Sequence, residues 1–300
     1  MRHVYECQLR RADLHPGGTV NNVMFVDYLQ EARLDLLRHH DTSPAPRTGE
    51  GLVVVRTVVD YRRPLRLSDA PLYVAVWVTE VRAATFTLGY QLVTRPESDA
   101  GWDGEPVIHA HATTVLTPFV FAENRPRRLT PGERERLLSA LGPSPLEDER
   151  RPRTPGWSEH GVQRRPVHVR FSDVDLLGHV NNVRYVDYLQ DTETDLLVGV
   201  FVEAAVNGHV DMFVARTEID YLGQMNLRRE PYEVRTRLSA VGTTSLTLES
   251  EIRDGDRVMA RAWVVEVNVD EHGRPMSLLP VHRELFERRM QGLPVSEGLS

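Results

Sequence analysis

The chain repeats itself, and this repeat limits the possible fold more strongly than any other feature of the sequence. The 28 residues from Arg10 to Leu37 align without a gap to those from Arg170 to Leu197, and 15 positions are identical. Unrelated segments would share about two, at residue frequencies of roughly 5–8%. The same 160-residue offset then aligns Val54–Tyr61 with Val214–Tyr221. We therefore expect two copies of one domain in a single chain.

The boundary between the copies is predicted from composition. Residues 143–161 are rich in proline, glycine and charge, which is typical of a linker, so we place the copies at 1–142 and 162–300. A short helix is expected just before the linker. Thr130 can cap it, Pro131 suits its first turn, Glu133 completes a capping box and Gly142 can end it.

Each copy is predicted to contain a short strand, one long buried helix and four further strands. The helices are expected at about Asn22–Arg38 and Asn182–Val198, where apolar residues occupy more than one face. Segments dense in Val, Thr and aromatic residues predict the strands, which fall at Leu52–Tyr61, Leu72–Arg82, Thr85–Thr94, Val107–Val120, Met212–Tyr221, Tyr232–Ala240, Ser245–Arg253 and Val258–Val269. This meander-like order indicates an α+β fold in which an antiparallel sheet wraps around one helix.

Composition excludes several functional classes. The net charge of −7 does not favour a nucleic-acid partner. No apolar run approaches the roughly 20 residues that span a bilayer, and no signal peptide is evident, so we expect a cytoplasmic protein without a membrane partner. The single cysteine, Cys7, lies in a predicted strand, and we interpret it as a packed residue rather than a nucleophile.

One motif carries a resemblance. The run Asp173-Val-Asp175-Leu-Leu-Gly178-His179-Val-Asn181-Asn182, followed by Tyr185 and Tyr188, resembles the signature of hotdog-fold thioesterases. It is similar to the 4-hydroxybenzoyl-CoA thioesterase family and to acyl-ACP thioesterases, which also carry two hotdogs per chain. The resemblance implies two tandem hotdog domains paired as an internal pseudo-dimer, with active sites at the shared interface and acyl-CoA or acyl-ACP as substrate. Assembly beyond that pair stays open.

The resemblance also implies roles for residues of the second copy. Asp175 would be the general base or the nucleophile, between which the sequence does not choose. The backbone N–H near Asn182, at the helix start, would stabilise the oxyanion. His179 would orient Asp175 or bind substrate, although acyl-ACP thioesterases carry an Asn at the position of Leu177, so their full set of residues is not reproduced.

Further residues are expected to contact substrate or to shape the site. Gly178 would let the backbone approach the substrate closely, and Asn181 and Asn22 have capping as their simplest role. Asp173 has a counterpart in Asp13 and is interpreted as structural. The remaining candidates for substrate contact are Asn181 itself, Tyr185, Ser245, Thr85 from the first copy, and Arg228 and Arg229 for CoA phosphates.

Copy one departs from the motif where the chemistry is expected. His15 replaces Asp175, and Thr19 replaces His179, while the Val-Asn-Asn-Val helix start is kept. We predict that this site is inactive or much weaker, although a histidine could itself serve as a base. Glu31, with its counterpart Asp191, is a further candidate helix acid.

Three functions remain open from the sequence. Acyl-thioester hydrolysis is favoured, with a hotdog dehydratase or hydratase and a non-catalytic acyl-CoA-binding module as the alternatives. No motif demands a cofactor or a metal, since Asp175 and His179 alone are too few ligands to indicate a metal site.

Overall fold

The computed structural model describes residues 2–39, 49–94, 105–146, 156–175, 178–204, 212–270 and 273–294. The chain divides into two compact units, Met1–Glu149 and Arg150–Ser300, and their boundary falls inside the predicted linker. The middle of that linker lies outside the described residues. The segment 95–104, where the first copy is longer than the second and the sequence predicts a longer hairpin, also lies outside them.

The first unit has one long helix and a five-stranded antiparallel sheet to which a two-residue strand is added. Its elements are β1 (His3–Cys7), α1 (Asn22–His39), β2 (Glu50–Tyr61), β3 (Leu72–Val81), β4 (Phe86–Thr94), β5 (Val107–Val120), β6 (Arg125–Pro126) and α2 (Pro131–Ser139). The strand order is β1-β3-β4-β5-β2, with β6 paired to β5.

The second unit repeats this plan. Its elements are β7 (Gln163–Val167), α3 (Asn182–Ala204), β8 (Met212–Tyr221), β9 (Tyr232–Val241), β10 (Ser245–Asp254), β11 (Arg257–Asn268) and α4 (Pro280–Gln291). The strand order is β7-β9-β10-β11-β8, and every pair is antiparallel.

The expected meander is only partly correct. The strands β3, β4 and β5 follow one another in the sheet, but β2 pairs with β5 rather than with β3, its successor in sequence. In the second unit β8 pairs with β11 in the same way. In each unit the connection from the second strand to the third therefore crosses the sheet from one edge to the other side.

The long helices bury apolar faces against these sheets. In the first unit α1 packs on β1 and β3, and in the second α3 packs on β9 and β10. The helix α3 extends past the predicted end at Val198, because Val200 and Phe201 continue its apolar surface. The Phe201 ring meets Phe286 of α4 edge-on at 5.6 Å between centroids, so this terminal helix fixes the extra turn.

The short helix α2 begins as the sequence predicts but ends differently. Thr130 Oγ1 accepts the Glu133 N–H at 3.3 Å, and the Glu133 carboxylate accepts the Thr130 N–H at 2.8 Å. The helix ends at Ser139, three residues before Gly142. Gly142 instead donates its N–H to Val78 O at 2.8 Å, where a Cβ would lie 2.8 Å from the Trp77 ring. Close packing against β3, not helix termination, accounts for this glycine.

Among the described residues, none of the helices is both long enough and apolar enough to cross a bilayer.

Candidate active site

A closed turn before α3 presents Asp175. The Asp175 N–H donates to His179 O at 2.9 Å, and the Gly178 N–H donates to Asp175 O at 3.0 Å. Val174 and Val180 form an antiparallel bridge that closes the turn at its base. The Asp175 carboxylate is partly buried, and its Oδ1 accepts the backbone N–H of His179 at 3.4 Å. Leu177 and its neighbour at 176 lie outside the described residues.

The helix α3 starts immediately after this turn, and its first N–H groups are nearly all satisfied. The Asn181 N–H donates to Asp173 O, and Asn181 Oδ1 accepts the Val183 N–H at 2.9 Å as an N-cap. The Arg184 N–H donates to Asn181 O at 2.9 Å. Among the described residues no acceptor is found for the Asn182 N–H. The first residue of α3 therefore retains one of the donors that a helix start leaves unpaired.

Asp173 anchors the segment that leads into the turn. It is buried, and its Oδ2 accepts the Arg170 N–H at 2.7 Å and the Tyr188 hydroxyl at 2.7 Å. Arg184 Nε lies 3.8 Å from Oδ1 of the same carboxylate. These contacts occupy Asp173 within the fold, which agrees with its interpretation as a structural residue.

Copy one builds the same turn with different side chains. The His15 N–H donates to Thr19 O at 2.7 Å, and the Gly18 N–H donates to His15 O at 2.8 Å. Asp13 accepts the Arg10 N–H and the Tyr28 hydroxyl, each at 2.8 Å. The two copies thus share the backbone hydrogen bonds of the turn, whereas a carboxylate at the position of Asp175 is found in copy two alone.

The cap in copy one corrects one expectation. Asn21 Oδ1, rather than Asn22, accepts the Val23 N–H at 3.1 Å. Asn22 is the first residue of α1, and its carbonyl accepts the Tyr61 hydroxyl at 3.3 Å. The matching bond in copy two joins Tyr221 to Asn182 O, also at 3.3 Å.

Gly178 and Tyr185 help to hold the turn and the segment 223–225 in their conformations. Gly178 has a φ of +83°, a left-handed backbone conformation that favours glycine, and among the described residues a Cβ there would meet no atom within 4 Å. The Tyr185 hydroxyl donates to Gly223 O at 3.0 Å and accepts the Met225 N–H at 2.8 Å. The hydroxyl therefore holds the 223–225 segment in place, and contact of Tyr185 with substrate stays a prediction.

Ser245 lies away from Asp175 within its own unit. Its neighbour Leu246 packs with Val200, in the C-terminal half of α3, whereas Asp175 precedes the N-terminus. Val200 lies 18 residues beyond the first residue of α3, which is about 27 Å at roughly 1.5 Å per residue. Contact of Ser245 with substrate stays a prediction. Thr85 occupies the matching β3–β4 turn of the first unit, where its carbonyl accepts the Arg82 N–H at 2.8 Å.

Arg228 is occupied by the protein itself. Its guanidinium lies 2.9 Å from the Asp254 carboxylate, donates to the carbonyls of Glu230 and Pro231, and stacks 3.8 Å from the centre of the Tyr232 ring. These contacts do not favour a CoA phosphate ligand at this residue, while Arg229 is exposed.

The buried acid on the long helix is not one of the predicted candidates. Glu31 and Asp191 are exposed, whereas Glu193 is buried and accepts the Ser250 hydroxyl at 3.1 Å. Burial raises the pKa of Glu193 to about 7, and burial together with the charge of Glu193 raises the pKa of Glu266 to about 8. The sequence held a signal for Glu193, since it continues the helical spacing of Val186, Leu189, Leu196 and Val200, all buried.

Comparison with known proteins identifies the family. The family model of the thioesterase-like superfamily matches residues 9–138 and again residues 169–294. The chain belongs to this superfamily. Its two matches coincide with the two copies found in the sequence, so the superfamily domain is the repeated unit.

Solved structures show the same fold along most of the chain. The 12:0-ACP thioesterase from Umbellularia californica has a TM-score of 0.70 at 15% identity, and covers 89% of this chain and 98% of its own. An acyl-ACP thioesterase from Bacteroides thetaiotaomicron has a TM-score of 0.65 at 16% identity, over 88% and 97% of the two chains. The two copies are therefore tandem hotdog domains, as the resemblance implied.

A relative of higher identity matches less of the chain. The uncharacterized protein YsmA of Bacillus subtilis is 30% identical over 120 residues, which are 39% of this thioesterase-like chain and 80% of YsmA. Membership of the superfamily supports thioester hydrolysis as the class of reaction.

Proposed function

We propose that this thioesterase-like protein hydrolyses acyl thioesters at the Asp175 turn, with acyl-CoA as the first candidate substrate and acyl-ACP as the second. One observation carries the proposal. Both copies form the same hydrogen-bonded turn and helix start, but only copy two places a carboxylate there, Asp175 in place of His15. A shared scaffold with one retained acid is the pattern expected of one active and one inactive or much weaker site.

The proposed reaction uses the carboxylate and the helix start together. In the general-base route, Asp175 takes a proton from water as the oxygen attacks the thioester carbonyl carbon. The Asn182 N–H and the positive end of α3 stabilise the negative carbonyl oxygen. The tetrahedral intermediate then expels the thiolate, which takes up the proton, and the free acid leaves.

The second route makes Asp175 the nucleophile. Its carboxylate attacks the same carbon, the thiolate leaves, and water hydrolyses the resulting mixed anhydride. A single turnover in ¹⁸O-labelled water tests the two routes. Label in the Asp175 side chain would establish the nucleophilic route, with water attacking the Asp175 carbonyl of the anhydride. Label in the released acid fits the general-base route or attack of water at the acyl carbonyl of the anhydride, and trapping of the anhydride with hydroxylamine then distinguishes these two.

The other residues near the turn position these groups. His179 donates its backbone N–H to Asp175 Oδ1, and Asn181 caps α3. Gly178 supplies the left-handed backbone conformation that the turn needs.

A non-catalytic acyl-CoA-binding role is the second candidate, favoured by the loss of the carboxylate from copy one. It predicts binding of acyl-CoA without release of thiol. A hotdog dehydratase or hydratase would instead add or remove water at the acyl chain and leave the thioester intact, which family membership favours less.

The deciding experiment measures release of free thiol from short, long and aromatic acyl-CoAs and from acyl-ACPs. We expect Asp175→Asn to lose roughly a hundredfold or more in kcat, the size expected for a general base. His15→Asn, the matched change in copy one, should leave the rate within about twofold of the wild-type rate, since its turn carries no carboxylate.

Either result is informative. If no acyl thioester is turned over, the hydrolase proposal fails and acyl-CoA binding becomes the next candidate. Hydrolysis that survives Asp175→Asn but falls in His15→Asn would move the active site to copy one.

A further inference from the structure

Two histidines and an aspartate meet where the start of β1 approaches the end of α1. His3 Nε2 lies 2.6 Å from Asp35 Oδ2, and His39 Nδ1 lies 3.2 Å from Asp35 Oδ1. The imidazole rings are 5.5 Å apart between centroids. The three ligand atoms all lie within 4.8 Å of one another. Each oxygen of one carboxylate thus faces a different imidazole nitrogen.

These separations suit a transition-metal ion. Ligand bonds of about 2.0–2.1 Å in a tetrahedral zinc site put neighbouring ligand atoms about 3.3 Å apart. The separation of His39 Nδ1 from Asp35 Oδ1 already matches, and that of His3 Nε2 from Asp35 Oδ2 requires a side-chain shift of less than about 1 Å. His39 Nδ1 also lies 3.0 Å from the backbone carbonyl oxygen of Asp35, so an ion bound through Nδ1 would replace that hydrogen bond. Asp35 and His39 are four residues apart on α1, so both side chains lie on one face of the helix.

Burial leaves one side of the group open. The exposed fraction of the side chain is 14% for His3, 26% for Asp35 and 64% for His39. The inner histidine and the carboxylate are held by the fold, whereas the outer histidine borders solvent. An ion could enter from that side and keep a water molecule as its fourth ligand.

Copy two provides a comparison within the same chain. Asp35 has its counterpart in Asp195, but Gln163 replaces His3 and Gly199 replaces His39. The Arg165 guanidinium lies 2.6 Å from the Asp195 carboxylate. Arginine therefore balances the shared aspartate in copy two, whereas two potential metal ligands surround it in copy one.

We propose that His3, Asp35 and His39 bind a divalent transition-metal ion, with Zn²⁺ as the best match. Two imidazoles and one carboxylate are donors that suit zinc, whereas Mg²⁺ and Ca²⁺ prefer a shell of oxygen atoms. The ion ties the start of β1 to the last turn of α1. It lies about 25 Å along that helix from the His15 turn, at roughly 1.5 Å per residue, so its role is structural and independent of the proposed hydrolysis.

The test titrates the full-length, untagged, chelator-treated protein with ZnCl₂ and measures heat and bound zinc. We expect one site per chain, and a midpoint of thermal unfolding that rises with zinc because the ion binds the folded state. His3→Gln, which installs the residue of copy two, and His39→Gln should each weaken binding about a hundredfold or more, since loss of even an outer-shell partner costs roughly 10- to 100-fold.

His160→Gln changes an exposed histidine of the second unit and serves as the control. It should bind zinc as the wild type does. His39→Gln keeps the test decisive if His3→Gln fails to fold, because His39 is mostly exposed. Wild-type protein that binds no zinc, or zinc binding that persists in the double variant, overturns the proposal whatever the outcome for thioester hydrolysis.

Discussion

Several residues near Asp175 form hydrogen bonds that hold the backbone of the turn in place. Asp173 is the clearest example, because its buried carboxylate joins the incoming segment to α3 through the Tyr188 hydroxyl. Asp13 and Tyr28 form the matching pair in copy one. A sequence motif gathers structural and chemical residues alike, and their hydrogen bonds separate the two kinds.

We predict that Tyr188→Phe lowers the free energy of unfolding by about 1.5–3 kcal/mol, the usual range for a hydrogen bond to a charged group. Tyr28→Phe is the matched change and should cost a similar amount. Urea unfolding followed by circular dichroism would measure both. A change below about 0.5 kcal/mol in both variants would show that water replaces the lost hydroxyl.

Cys7 gives a second prediction at the scale of one residue. It is buried, as the sequence predicted, and burial together with nearby Asp13, Asp27 and Glu31 raises the pKa of its thiol to about 12. The thiolate is therefore scarce at neutral pH, and we expect almost no reaction with a thiol reagent at pH 8 until the protein is unfolded. Rapid labelling of the folded protein, compared with a Cys7→Ala control, would contradict this.

At the scale of elements, the core of the second unit contains acids that link one helix to its sheet. Glu193 on α3 accepts the Ser250 hydroxyl of β10, and that hydroxyl lies 2.9 Å from Thr236 Oγ1 of β9. Glu266 on β11 completes the group, and its pKa is raised by burial and by Glu193. Copy one has Arg33 and Leu116 at the matching helix and strand positions, so this polar core is specific to copy two.

These acids predict how stability changes with pH. Their folded pKa values, about 7 and about 8, lie above the ordinary value of 4.5. The folded state therefore binds more protons than the unfolded state, so this contribution to stability is greatest at low pH and is lost as pH rises from about 4.5 to 8.

Glu193→Gln keeps the shape and removes the charge. We expect it to flatten the decline and to raise the free energy of unfolding at pH 8 by about 3 kcal/mol, at roughly 1.4 kcal/mol per pKa unit. Chemical denaturation at several pH values would measure the effect, with the exposed Glu284→Gln as the control. An unchanged pH dependence in Glu193→Gln would contradict it.

For the whole molecule, the sequence predicted what depends on local pattern and missed what depends on distant contacts. Residue type and periodicity placed Val107–Val120 and Met212–Tyr221 at their observed bounds. The pairing of β2 with β5 joins segments some 60 residues apart, for example Gly51 with Phe119, and no local rule specifies it. The end of α3 was missed for a related reason, since Val200 and Phe201 extend the helix by packing in the core that α4 completes, and Phe286 is distant in sequence.

The candidate site was likewise predicted where it depends on local sequence pattern, and was missed where it depends on contacts between distant residues. The repeat and the motif singled out Asp175 and the start of α3, and the structure places Asp175 in a closed turn directly before that helix. The engagement of Tyr185, the position of Ser245 beside the far end of α3 and the salt bridge of Arg228 all depend on partners distant in sequence. Side-chain type alone does not reveal whether a hydroxyl or a guanidinium is already in use.

The two matching turns have a further consequence for how such a protein can change. In an assembly of identical chains, one substitution alters every copy, so a histidine in place of the acid would remove all the carboxylates together. Here the two domains are encoded separately in one polypeptide, and His15 leaves Asp175 untouched. Covalent fusion thereby lets one copy lose the carboxylate that the other copy keeps, and lets it acquire side chains, such as His3 and His39, that the other copy lacks.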